Sequence, residues 1–309
     1  MRKIVKIKVP ATSANLGPGY DSFGLALNLF NEYQFKIDKN IEKLSIDIIN
    51  NNEVEVNLKK EDNLILNTIK YLDESLPHKI NTRGLQIKAK LNYPLNRGLG
   101  SSANAIIATI FGLNELFNLN LAKKDILSYA LELEGHPDNI VPTLVGGFTI
   151  SKVEDNEPIY EKFEIAEEMQ ILLFIPELAI KTKEARRVIT NTIKINHATQ
   201  NIANASLLTA GLIKNDIELM KKGSKDYIHQ SKRIALNPKL EKIFIELKER
   251  LDTPLFLSGS GSTLIFFSKK DFKNEREIIK NTADKYGIVN CLIETDVNNQ
   301  GIIINKDGD

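Results

Sequence analysis

The segment Pro94-Leu95-Asn96-Arg97-Gly98-Leu99-Gly100-Ser101-Ser102-Ala103 concentrates residue types that hold a polyphosphate. Glycines let backbone N–H groups approach an anion closely. Ser101 and Ser102 offer hydroxyls to a phosphate or to Mg2+, and Arg97 offers a cation. The run follows an alternating stretch (Leu85, Ile87, Ala89, Leu91) and precedes a helical one with Ala103, Ile106, Ile107, Ile110, Leu113 and Phe117 on one face. It therefore joins a strand to a helix start, where N–H groups are unpaired and the dipole end is positive. A glycine turn with Ser101 as helix cap is the plainer alternative. A P-loop would need a Lys before its Ser, and none is present. The dinucleotide fingerprint, Gly98-x-Gly100-x-x-Ala103, should lead to a second strand with an acidic residue. Here the spacing predicts a second helix over 121–134 instead.

Other residues could join this loop. Asn15 and Asp21 lie in a Gly/Ser/Asn/Pro-rich stretch, where Asx turns are the simpler reading. His136, Asp138 and Asn139 follow Gly135. His136 has no second His at metal-ligand spacing, which argues against zinc. Arg186 and Arg233 can grip a carboxylate through paired N–H groups, although single arginines are usually solvated. A second glycine loop, Ser258-Gly259-Ser260-Gly261-Ser262, lies near the C-terminal end.

The elements that must position these residues follow from pattern. Val5, Ile7 and Val9 alternate with lysines as a half-buried strand. Strands are also predicted over 33–37, 44–49, 85–91, 145–153, 171–175, 255–258, 263–267 and 289–294. Helices are predicted over 62–72, 101–117, 121–134, 183–193, 199–213, 239–251 and 271–286. Strands in hairpins and helices in pairs indicate an α+β fold in two domains rather than a βαβ repeat. The acidic, weakly periodic stretch 154–168 marks the boundary, giving domains 1–155 and 156–309. The 309 residues suffice for two domains, and 42% hydrophobic residues can fill their cores. With 41 basic and 40 acidic residues, the net charge of +1 gives no global attraction for nucleic acid or anionic lipid. Any anion site must be built locally. Cys291 is the only cysteine, so neither an intrachain disulfide nor a cysteine metal cluster can form. No apolar run approaches the ~20 residues that span a bilayer, and residues 1–10 lack the apolar run of a signal peptide. A cytoplasmic protein is expected.

The Pro-x3-Gly-Leu-Gly-Ser-Ser-Ala run resembles the phosphate loop of the galactokinase, homoserine kinase, mevalonate kinase and phosphomevalonate kinase superfamily. Val9-Pro-Ala-Thr-Ser-Ala-Asn15-Leu-Gly-Pro-Gly-Tyr-Asp21-Ser-Phe-Gly24 is similar to its N-terminal substrate motif, and Leu257-Ser-Gly259-Ser-Gly261-Ser-Thr263 to its C-terminal glycine loop. Ala11-Thr12, where sugar and mevalonate kinases usually carry Gly-Arg or Gly-Lys, and Glu134-Gly-His136-Pro-Asp138-Asn139-Ile-Val-Pro142 resemble the homoserine kinase branch. Asn104 stands for a usual Ala, Ser260 and Ser262 for common Ala and Pro, and His229-Gln-Ser-Lys232 for a Glu-Pro-containing stretch.

The resemblance implies a first domain like ribosomal protein S5 domain 2, a ferredoxin-like second domain, and an active site between them. It implies ATP-dependent phosphorylation of the L-homoserine hydroxyl, a step of threonine biosynthesis, in a homodimer. A mevalonate- or sugar-type kinase and a non-catalytic ligand-binding regulator are the alternatives. Nucleotide contacts fall on Asn63, beside the adenine, on Pro94 to Asn104, and on Gly259 and Gly261. Substrate contacts fall on Asn15, Asp21, His136, Asn139, Thr182, Arg186 and Arg233. Asn139 orients the hydroxyl and Asp21 assists; Asp138 is the alternative as a base. Mg2+ falls to Ser102 and Glu134, with Glu132 as the alternative to Glu134.

Overall fold

A computed structural model describes residues 4–305, so the extreme ends of both expected domains lie outside it. Strand β1 (Ile4–Ala14) turns Val5, Ile7 and Val9 inward. It pairs antiparallel with the long β2 (Phe23–Ile37), of which the expected strand 33–37 is only the end. The start of β2 pairs with β5 (Phe148–Glu154), and its later half with β4 (Leu85–Leu91). β4 lies parallel to β3 (Ser45–Asn50). A hairpin adds β6 (Glu157–Phe163) to β5, and β11 (Ile303–Ile304) adds the edge beside β1. The result is a seven-stranded sheet.

Four helices cover one face of this sheet: α1 (Leu64–Ser75), α2 (Ser101–Phe117), α3 (Lys123–Glu134) and α4 (Pro137–Val145). Ile107, Ile110 and Leu113 of α2 share one buried cluster with Ile7, Phe35 and Ile87 of the sheet. The approach is close enough that a Cβ on Gly112 would meet the Phe35 ring at 2.2 Å, which makes this glycine a packing requirement.

The rest of the chain runs β7 (Gln170–Pro176), α5 (Thr182–Arg187), α6 (Ile195–Ile213), α7 (Ile217–Lys222), α8 (Gln230–Ile234), α9 (Pro238–Arg250), β8 (Leu255–Leu257), β9 (Leu264–Ser268), α10 (Lys273–Lys285) and β10 (Asn290–Asp296). Its four strands form an antiparallel sheet ordered β10-β7-β9-β8. Both faces of β7 are buried, which explains its continuous apolar run. Ile171, Leu173 and Ile175 join Phe23, Leu25 and Phe148 of the first sheet and Leu208 of α6. Leu172 and Phe174 face Leu240, Ile243 and Ile279 of α9 and α10. The shared cluster welds the two halves, so loops at their junction keep fixed separations.

Several expectations need correction. The boundary at 155/156 falls on Asp155 and Asn156, the hairpin tip between β5 and β6, both with positive φ (51 and 61). β6 therefore belongs to the first sheet, and the sheets change over between Phe163 and Gln170. Helix α4 occupies a stretch that Pro137 and Pro142 disguised; Pro at the first helical position is well tolerated. The helix expected over 183–193 ends at Arg187, and α6 begins at Ile195, before the expected 199. The short α7, α8 and β11 were not foreseen. Among the described residues no helix is long and apolar enough to cross a membrane.

Candidate active site

The phosphate-loop sequence becomes the connection from β4 to α2. Positive φ at Asn96 (57), Gly98 (77) and Gly100 (67) alternates with the residues between them. Such alternation turns successive N–H groups toward one concavity suited to an anion. Gly100, not Ser101, occupies the cap position of α2, and no side chain caps the helix. The Ser101 hydroxyl is buried without a hydrogen-bond partner. A long helix thus opens with unsatisfied donors facing a cavity of about 380 Å3.

The three glycine-bearing motifs meet here. Ser258 Oγ donates to Gly98 O at 2.6 Å and lies 2.7 Å from Ser13 Oγ. Gly259 N–H bonds Ala14 O at 2.8 Å, and Thr263 N–H bonds Arg97 O at 3.1 Å. A Cβ on Gly98 would come within 2.1 Å of Ser258 O, and one on Gly100 within 1.9 Å of Thr12 Oγ1. Only glycine fits where these loops cross.

Opposite the loop, the start of α4 presents Asp138 and Asn139. Asn139 Oδ1 accepts from Thr12 Oγ1 at 2.8 Å, and its amide nitrogen lies 3.4 Å from Asp138 Oδ1. Asn15 donates to Asp138 Oδ2 at 2.8 Å and accepts from Asp21 N at 2.9 Å. Asp138 is 2% exposed. Burial and the charge of Asp21 raise its pKa to about 6. Asp21 receives both terminal nitrogens of Arg186 at 3.2 Å each, a bidentate ion pair between the two halves. His136 Nδ1 is 3.9 Å from Asp21; burial and the Arg186 charge lower its pKa.

Arg233 is the unusual cation. It is 2% exposed and lines the cavity. Its hydrogen bonds run to two carbonyls, Ala185 O at 3.3 Å and Gly259 O at 3.0 Å, and its guanidinium stands 5.2 Å from the Tyr20 ring. Among the described residues no carboxylate pairs with it. An unpaired buried charge costs several kcal/mol, so the site favours an anionic ligand group.

Ser102 Oγ donates to Glu134 Oε2 at 2.5 Å, joining the start of α2 to the end of α3. Burial raises Glu134 to about 7; Asp138 adds to the rise, while the Ser102 hydrogen bond and Arg186 oppose it. Glu134 lines the cavity, whereas Glu132 is exposed. A hydroxyl and a carboxylate are the hard oxygen donors Mg2+ takes when nucleotide phosphates supply the rest. The pair therefore fits an ion carried by a nucleotide. Among the described residues no cluster of three or more acidic, His or Cys side chains could hold a metal alone.

The cavity is lined by Asn15, Asn96, Gly98 to Ser102, His136, Asn139, Thr182, Arg186, Arg233 and Gly259, and Asp21 is joined to it through its ion pair with Arg186. Pro94, Leu95, Ala103 and Gly261 do not line it. Asn104 departs from the expectation of a nucleotide contact. Its amide donates to Val9 O and Pro10 O at 3.0 Å and accepts from Tyr33 Oη at 2.7 Å, pinning α2 to β1 inside the core. Asn63 caps α1, accepting from Leu66 N at 3.1 Å, and does not line the cavity. Arg97 turns onto the carbonyls of Leu95 and Asn96, outside the cavity. Lys183 and Ser260 line it without having been singled out. Their neighbours Thr182 and Gly259 were the available signal.

Two family models match the chain. Residues 63–147 match the model for the GHMP kinases N terminal domain, and residues 208–285 that for GHMP kinases C terminal. A homoserine kinase of Halothermothrix orenii is 34% identical over 96% of this chain and 95% of its own. One from Petrotoga mobilis is 34% identical over 99% and 98%. The crystal structure of homoserine kinase from Cytophaga hutchinsonii superposes with a TM-score of 0.84 at 26% identity, covering 99% and 98% of the two chains. Matched over nearly its full length by these relatives and by both domain models, the chain belongs to the homoserine kinase family of the GHMP kinases.

Proposed function

We propose that the protein transfers the γ-phosphoryl group of ATP to the side-chain hydroxyl of L-homoserine, giving O-phospho-L-homoserine and ADP. The observation that carries the substrate is Arg233, buried, on the cavity wall and, among the described residues, without an acidic partner. A substrate carboxylate supplies that partner, with Arg186 beside it. Asp21 lies within the same ion pair and takes the ammonium. A zwitterion matches this wall, whereas mevalonate brings a carboxylate without an ammonium for Asp21, and neutral sugars bring neither.

The backbone of Asn96 to Ala103 and the Ser101 hydroxyl hold the phosphates. Ser102 and Glu134 hold Mg2+, which neutralises phosphate charge when bound. Lys183, rather than Arg97, adds a side-chain cation at the cavity. Asn139, fixed by Thr12, orients the attacking hydroxyl. Positioning of this kind supplies much of the acceleration in phosphoryl transfer. Asp138 takes the hydroxyl proton; a carboxylate with a pKa of about 6 is mostly ionised at neutral pH and near the optimum for a base.

In fold, the reading likens the first half to ribosomal protein S5 domain 2 and the second to a ferredoxin-like domain. The β7-α-β8-β9-α10-β10 order and its antiparallel sheet support the latter. Phosphorus NMR of a reaction with Mg-ATP and L-homoserine tests the proposal. A phosphomonoester resonance growing in step with ADP supports it; inorganic phosphate alone contradicts it.

A further inference from the structure

The segment carrying Asn15, Tyr20 and Asp21 leaves the first sheet, yet helices of the second half grip its backbone. His229, fully buried at the start of α8, places Nε2 2.8 Å from Gly17 O. Asn201 of α6, 6% exposed, donates Nδ2 to Pro18 O at 2.9 Å. Consecutive carbonyls are thus held by buried side chains from different helices. The two grips are also tied to each other. Asn201 Oδ1 accepts from Tyr227 N at 3.0 Å. Asp226 accepts from the N–H groups of Ile228, His229 and Gln230 at 3.0, 2.8 and 2.6 Å, fixing the turn that delivers His229.

The ring chemistry fits a donor. His229 Nδ1 has no partner, and a bare Nε2 facing a carbonyl would be repulsive, so the proton belongs on Nε2. Burial keeps the imidazole neutral, lowering its pKa to about 4. The ring lies 5.5 Å from the Tyr20 ring. Four residues on, Arg233 donates its backbone N–H to His229 O at 2.9 Å and sends its guanidinium to the cavity. One short helix therefore carries both the grip on the segment and the carboxylate-binding cation. Below, Gly17 (φ 49) admits no side chain, since a Cβ would meet the Phe256 ring at 2.8 Å. Pushed from beneath and held from the side, the segment has one position.

We propose that His229 and Asn201 are positioning residues for the amino-acid substrate. They clamp Gly17 and Pro18 so that Tyr20 and Asp21 face Arg186 and Arg233, and they act on amino-acid binding rather than on the nucleotide. The inference rests on the homoserine kinase reading. The phosphate loop is hydrogen-bonded to the strand that leads into the clamped segment at Thr12, whose N–H donates to Leu99 O at 3.2 Å, upstream of the gripped carbonyls.

Steady-state kinetics of wild type, His229→Ala, His229→Gln and Asn201→Ala test it, with thermal unfolding of each. Removing either grip raises KM for homoserine by ~10-fold, because small displacements of binding groups are costly. KM for ATP and kcat stay within about 2-fold. The amide introduced by His229→Gln can still donate, and it restores KM to within ~3-fold of wild type. The double alanine variant is less than multiplicative, since both grips hold one segment. Should His229→Ala fail to fold, His229→Gln and Asn201→Ala carry the test. An active wild type whose variants leave the homoserine KM unchanged, or raise both KM values equally, overturns the clamp alone. A His229→Gln variant no better than His229→Ala also overturns it. A wild type inert toward homoserine overturns the kinase reading and the clamp with it.

Discussion

Replacing Glu134 with Gln separates what this carboxyl does for catalysis from what it does to the fold. Folding raises its pKa from 4.5 to about 7, chiefly by burial. The folded state therefore binds the proton more tightly than the unfolded chain does. Stability is full below about pH 4.5 and falls as pH rises toward 7, where it levels off. Taken whole, the shift corresponds to ~3 kcal/mol at pH 8. Residual contact with water reduces this, so a gain of ~1–3 kcal/mol is expected for the uncharged variant. Gln is nearly isosteric and still accepts from Ser102, which leaves the packing intact. Urea unfolding of nucleotide-free protein in chelator, at pH 8 and pH 5, measures the effect. Glu134→Gln gains stability at pH 8, and the gain shrinks below ~1 kcal/mol at pH 5. Turnover with Mg-ATP falls by ~100-fold or more, because the ligand proposed for the ion is lost. A variant less stable than wild type at pH 8, or one with the same gain at both pH values, refutes the reasoning.

Gly98→Ala places a Cβ 2.1 Å from Ser258 O at a φ of 77; thermal unfolding should show a loss of ~2 kcal/mol or more together with lost turnover. Lys183→Met leaves the melting temperature unchanged, because the side chain is exposed, and lowers kcat/KM for Mg-ATP by ~10-fold. Wild-type kcat/KM for homoserine falls as pH drops through about 6, where Asp138 gains its proton. Asp138→Asn lowers kcat and removes that acid limb from the profile.

Local chemistry was the legible part of the sequence. The glycine run dictated its own position between a strand and a helix. The continuous apolar run 171–175 announced a strand, and the structure buries both its faces. What stayed hidden depends on distant partners. Arg186 and Asp21 were separate candidates, and only the fold makes them one ion pair across 165 positions. β6 alternates charged and apolar residues in an exposed pattern, so it resembled a linker. α8 is five residues long, too short for a helical period, yet it carries both His229 and Arg233 toward the site. Asn104 falls inside the motif by position, but its side chain points to the core because β1 offers two carbonyls there. Arg97 likewise curls onto its own loop, and Lys183 from the second half takes the place at the cavity.

The central claim is tested most directly by coupled ADP release with Mg-ATP, offering L-homoserine, L-threonine, L-serine, mevalonate and galactose in parallel. Turnover with homoserine alone is predicted: mevalonate and galactose lack an ammonium for Asp21, and serine and threonine carry the hydroxyl one carbon closer to the charged groups, short of Asn139. Turnover with mevalonate or galactose would contradict the assigned roles of Arg186, Arg233 and Asp21. ATP binding without turnover of any of the five would contradict the assignment as a kinase.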